Sequence, residues 1–84
     1  MDDTVLLNKL TALLKASEIK IRKEVLEDSC GGLCRIGNER VLFLDSQSLP
    51  EEQAVVCARA ICEVVDIENI YLLPDVREFI EHQK

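Results

Sequence analysis

The sequence predicts an α+β domain. Three observations carry this: leucines recur at helical spacing near the N-terminus, apolar and charged residues alternate from residue 19, and a long apolar helix opens at Pro50. The chain has 84 residues, enough for one domain, taken as 1–84. With an aromatic fraction of 4%, its core must be built from Leu, Ile, Val, Ala and Cys. So short a chain buries about 60–65% of its unfolded surface, so its stability is marginal unless a metal, a disulfide or a partner chain contributes.

Asp2, Asp3 and Thr4 offer helix N-caps. Leu6, Leu7, Leu10, Leu13 and Leu14 then fall on one stripe, which predicts an N-terminal amphipathic helix over residues 3–17. From Ile19 to Leu26 the period changes to two. Ile19, Ile21 and Val25 alternate with Lys20, Arg22 and Glu24, the signature of a strand with one wet face. Glu27-Asp28-Ser29-Cys30-Gly31-Gly32 breaks this pattern, and its Gly-Gly pair implies a turn or bulge with positive φ. Leu33 to Ile36 and Val41 to Leu44 read as two strands joined by a tight turn within Gly37-Asn38-Glu39-Arg40. Val41-Leu42-Phe43-Leu44 is apolar on both faces and is expected at the centre of a three-stranded, mainly antiparallel sheet.

Ser48-Leu49-Pro50-Glu51 has the form of a capping box with proline in the first turn, and the helix it starts should reach Val65. Glu52, Arg59, Glu63 and Asp66 crowd a narrow polar stripe. The remaining apolar sector spans roughly 220°, more than one sheet face can cover. The N-terminal helix, the C-terminal segment or a second copy of the chain must cover the rest. Residues 66–73 show no clear period. Pro74 and Asp75 then open a short C-terminal helix with Val76, Phe79 and Ile80 on one side.

A net charge of −6 argues against a nucleic-acid partner, because phosphate binding needs clustered cations. The densest basic stretch, Lys20-Ile21-Arg22-Lys23, is flanked by Glu18 and Glu24 and reads as a solvated strand face. The start Met1-Asp2-Asp3 has the wrong charge for a secretion signal, and no apolar run approaches the ~20 residues that cross a bilayer. The expectation is a cytoplasmic protein with reduced thiols and no membrane partner.

Four cysteines, Cys30, Cys34, Cys57 and Cys62, match the number of a structural zinc site. Their spacing does not. Cys57 and Cys62 lie about 140° apart around a helix, so one ion is not gripped by both, and they read as small buried hydrophobes. Cys30 and Cys34 remain open as a metal site or redox pair, with Arg35 as the local cation. The one histidine, His82, lies near the end of the chain, which leaves no base for a nucleophile. Asp45 follows the apolar strand, where turn capping is its plain role. The glycines match no phosphate-binding pattern. No catalytic residue and no cofactor are therefore assigned.

Gly32-Leu33-Cys34-Arg35-Ile36-Gly37, then Val41-Leu42-Phe43-Leu44-Asp45, then Leu49-Pro50-Glu51-Glu52-Gln53 leading into a helix resemble the core of ImmA/IrrE-type zincin peptidases. The resemblance covers roughly residues 5–65 and implies a helix, a strand, a hairpin and a helix in that order. That family carries His-Glu-x-x-His on the last helix. Cys57, Ala58, Arg59, Ala60 and Ile61 stand there in this chain, so a relative without peptidase activity is implied. Such a relative would bind a peptide along an exposed edge strand at Ile19 to Leu26. The stretch Ile70-Tyr71-Leu72-Leu73-Pro74 also resembles the end of small bacterial proteins of unassigned function.

These readings converge on a non-enzymatic protein–protein interaction or self-association module, with a homodimer or another protein as partner. The alternative is a cysteine-dependent metal-binding or redox protein centred on Cys30 and Cys34.

Overall fold

The structure is a computed structural model that describes residues 2–26 and 31–83. Its elements are α1 (Asp3–Ala16), β1 (Lys20–Glu24), β2 (Gly31–Ile36), β3 (Glu39–Asp45), α2 (Pro50–Val64) and α3 (Pro74–Glu81). The α+β class read from the sequence is the class observed.

Asp2 caps α1: its side chain accepts a hydrogen bond from the Thr4 amide at 3.0 Å. The other end closes by a Schellman motif. Ile19 N–H donates to the Leu14 carbonyl at 3.0 Å and Glu18 N–H to the Lys15 carbonyl at 3.1 Å. Leu14 and Ile19, which this motif brings together, are both in the core. Glu18 holds the left-handed position with φ 64°, where glycine is the usual residue. Glu18→Gly is therefore expected to raise stability by up to about 1 kcal/mol in urea titration. A loss would show that the Glu18 side chain makes a contact worth more than the backbone strain.

The strands lie in the order β1-β3-β2, so Val41, Leu42 and Leu44 occupy the central strand, all three buried. β2 and β3 form the expected antiparallel hairpin, from Gly31 opposite Leu44 to Ile36 opposite Glu39. β1 joins the other edge of β3 in parallel, from Lys20 opposite Val41 to Glu24 opposite Asp45. The sheet is thus mixed, with one ladder of each kind, rather than mainly antiparallel. The physical reason is geometric. A two-residue hairpin places β2 beside β3, which leaves β1 the far edge, and two chain reversals between β1 and β3 make them run the same way.

Three local expectations are corrected. The Gly31-Gly32 pair lies within β2 rather than in a turn before it, with Gly31 at the positive φ of 107° that was foreseen, while the rest of the expected break, residues 27–30, lies outside the described residues. The hairpin turn contracts to Gly37-Asn38, where Gly37 takes φ 62° at the position a tight turn reserves for glycine. Val25 does not join Ile19 and Ile21 on the inner side. The strand ends at Glu24, and Val25 is 59% exposed.

Ser48 does not cap α2. Leu49 precedes proline and is held extended at φ −65°, ψ 151°, which makes it the N-cap and puts Ser48 one residue too far out. Gln53 takes over the anchoring: its Nε2 donates to the Asp45 and Ser48 carbonyls at 3.1 and 3.0 Å. This buried glutamine was not singled out from the sequence. A lone polar side chain inside an apolar helix stripe was the available signal.

The wide apolar sector of α2 is covered within the chain. α1, α3, β2 and β3 all pack against this helix. Ala54, Cys57, Ala58 and Ile61 are fully buried, with Val55, Val56 and Cys62 half-buried around them. Residues 66–73 are irregular but anchored. Asp66 accepts a hydrogen bond from the Glu68 amide, Ile67 is buried, and Arg77 of α3 donates to the Ile67 carbonyl at 3.0 Å. On α3, Val76 and Ile80 are buried and Phe79 is half-buried.

The core unites one sheet face (Ile19, Leu42, Leu44) with the three helices. The opposite face carries ion pairs instead. Lys20 pairs with Glu39 at 2.9 Å, Arg22 with Glu24 at 3.1 Å, and Arg22 sits 6.0 Å from the centre of the Phe43 ring. The chain is therefore a two-layer domain with helices on one side. Among the described residues, no helix is long and apolar enough to cross a membrane.

Candidate interaction groove

The residues singled out from the sequence are scattered. Cys34 is exposed on the outer face of β2, opposite Val41. Cys30 lies outside the described residues, so the Cys30/Cys34 pair is not described. Cys57 is fully buried in α2, where burial pushes its thiol up to about 12, and Lys23 offsets part of that rise. Cys62 is half-buried, with its sulfur 3.7 Å from the Ile80 carbonyl it donates to. Among the described residues, no three His, Cys, Asp or Glu side chains gather as metal ligands would.

His82 is the exposed C-cap of α3. Asp45 closes a turn, its side chain accepting from the Gln47 amide at 2.9 Å. Of Cys57 to Ile61 on α2, all but Arg59 are buried. β1 lies at a sheet edge. Its Lys20, Arg22, Lys23 and Glu24 are all exposed, and such charges blunt edge pairing. A shallow hollow of about 750 Å³ beside it is lined by Lys15, Glu18 and Arg40 together with Lys20, Arg22 and Glu39, the last three of which take part in the exposed ion pairs above.

The surface that stands apart is an apolar groove of about 310 Å³ on the helical side. One wall is α1, with Ala12, Leu13 and Ala16 below Lys9. The other wall is the turn Tyr71-Leu72-Leu73, and the buried Val76 lines the groove from α3. Tyr71 is 85% exposed and Leu73 is 40% exposed. Pro74, by fixing the start of α3, holds Leu73 in an extended conformation at the mouth of the groove.

Next to the groove, the outer side of α1 carries a second line of residues beside its leucine face. Val5, Lys9, Ala12 and Ala16 follow at intervals of four, three and four residues, so they line one side of the helix. Val5 is 45% exposed, and Ala12 and Ala16 are exposed. The leucine stripe dominates the pattern of this segment, and two alanines are a weak hydrophobic signal. Nor does any short-range pattern bring residues 71–73 beside residues 9–16. Compared with known protein families, curated proteins and solved structures, the chain matches none of them.

Proposed function

We propose that this chain is a non-enzymatic protein–protein interaction module that seats an amphipathic helix of another polypeptide in the groove between α1 and Tyr71-Leu72-Leu73. The observation that carries the reading is Tyr71. A large aromatic ring stands 85% exposed beside an apolar groove, although the domain has one tyrosine and two phenylalanines in all. Exposed aromatic side chains beside small apolar residues supply contact area at low entropic cost and anchor protein interfaces. The dimensions also matter. The α1 wall runs from Lys9 to Ala16, about 12 Å at 1.5 Å per residue, so the groove takes about two turns of a docked helix.

The earlier motive for self-association, the wide apolar face of α2, no longer points to a partner, because the chain covers that face itself. The groove takes its place. A cytoplasmic location belongs to the same reading and suits the free Cys34, Cys57 and Cys62.

Site-directed photocross-linking tests the proposal. A benzophenone-bearing residue is placed at position 71 and, as a control, at the exposed position 63 of α2, in cells that make the protein. The expected result is an adduct with a polypeptide from position 71, none from position 63, and loss of that adduct in the Ala12→Gln/Ala16→Gln variant. Equal yields at the two positions, or none at position 71, retire the reading.

A further inference from the structure

We propose that the helix seated in the groove is α1 of a second copy of this chain, the two copies being related by a two-fold axis with their α1 helices antiparallel. The inference rests on the groove being a helix-docking surface, and it names the partner.

Charge supplies the first argument. The chain carries −6, yet α1 with its cap is neutral: Asp2 and Asp3 stand at its head, Lys9 and Lys15 further along, with no other charged residue between Asp2 and Ala16. Two acidic chains can approach here without the repulsion their net charge would otherwise impose. The charges are also polarised along the helix. In an antiparallel pair, the Asp2-Asp3 end of each copy points toward the lysine-bearing half of the other. A parallel pair would set aspartates against aspartates. Antiparallel helices also bring opposite ends of their dipoles together. A foreign helix of a single charge sign would meet one favourable half of α1 and one unfavourable half.

Spacing supplies the second argument. Asp2, Val5, Lys9, Ala12 and Ala16 are separated by three, four, three and four residues, the repeat by which two helices interlock along a seam. Val5, Ala12 and Ala16 are small or branched and let the backbones approach; antiparallel pairing sets Val5 against Ala12 and Asp3 against Lys15 of the copy, with the two Lys9 side chains meeting at the axis, where their long stems let the charges reach water. Apart from Lys9, the seam is self-complementary, as a two-fold interface requires. Each Tyr71 then stands as a flank beside the incoming helix rather than bare in water.

The test uses the full chain in reducing buffer, so that a disulfide through the exposed Cys34 cannot imitate association. Sedimentation equilibrium is run from about 1 to 500 µM, the range in which a modest interface would dissociate. Wild type is expected to approach twice its 9.5 kDa chain mass at the upper end. Lys9→Glu/Lys15→Glu and Asp2→Lys/Asp3→Lys should each associate at least tenfold more weakly, and an equimolar mixture of the two should recover the dimer. Ala12→Gln/Ala16→Gln, which alters exposed positions only, should also weaken association while circular dichroism shows an unchanged fold.

A wild type that stays monomeric throughout overturns the inference. So does wild-type association by Ala12→Gln/Ala16→Gln, or a mixture of the two folded charge variants that fails to pair. Should Asp2→Lys/Asp3→Lys not fold for want of its N-cap, undiminished association of Lys9→Glu/Lys15→Glu overturns it instead. The adduct at position 71 separates the two levels. A mass of two chains supports the copy, a different mass overturns the copy while leaving the groove reading intact, and no adduct overturns both.

Discussion

Gly31→Ala is expected to cost the domain about 3 kcal/mol, combining backbone strain with a steric clash, whereas Gly32→Ala one residue on should be neutral or stabilising by up to about 1 kcal/mol. A Cβ on Gly31 would lie 2.0 Å from the Phe43 carbonyl oxygen and 3.0 Å from the carbonyl carbon. Both atoms belong to the central strand, so no side-chain rotation relieves the contact. The φ of 107° adds a conformation that L-residues rarely adopt. At Gly32, by contrast, nothing lies within 4 Å of an added Cβ, and alanine would reduce the entropy of the unfolded chain. Urea unfolding of the two variants measures the difference directly. Similar small effects at both positions would mean that the start of β2 can shift away from β3 at little cost.

The second large effect is on the alkaline limb of stability, and it depends on Cys57. The native thiol is pushed from the ordinary value of 9.0 up to about 12, chiefly by burial, with Lys23 opposing. The protonated thiol is therefore the form the fold requires. This contribution is fully present below about pH 9, the unfolded value, and is lost as pH rises toward 12, where both states ionise. Three pH units at 1.36 kcal/mol each make the loss on the order of 4 kcal/mol across the whole window. Cys57→Ala should be less stable than wild type at pH 7, because it leaves a small cavity in the core. Its stability should then fall less steeply above pH 9, so that the two curves converge. Urea titrations at pH 7, 9 and 10.5 in reducing buffer measure this. Parallel curves would show that ionisation of Cys57 does not limit the fold. A thiol count gives an independent check: Cys34 should react in the native protein and Cys57 only after unfolding.

Much of the architecture was legible in the residues themselves. The leucine stripe located α1 to within a residue of its end. Val41-Leu42-Phe43-Leu44 pointed to the central strand, since an unbroken apolar run suits the most buried position in a sheet. Pro50 and Pro74 marked the starts of α2 and α3, because proline is suited to a first helical turn. The helical position of Cys57 and Cys62 was enough to separate them as ligands.

What sequence periodicity did not determine was decided by contacts between distant segments. Whether β1 joins the hairpin in parallel or antiparallel depends on which edge of β3 remains open, and no local pattern records that. The proline geometry moved the N-cap of α2 to Leu49, which leaves the helix without a side-chain cap, and the buried Gln53 amide ties the β3–α2 turn to the helix instead. The apolar sector of α2 was visible as a demand for cover, but its occupants, α1 and α3, became known only in three dimensions. The groove lies at the far end of the same scale. Ala12, Ala16 and Tyr71 are unremarkable where they stand in the chain. They become a surface only because Ile67 and Arg77 hold residues 71–73 against α1, a placement set by long-range packing and hydrogen bonding rather than by any repeat a helix or strand imposes on its own residues.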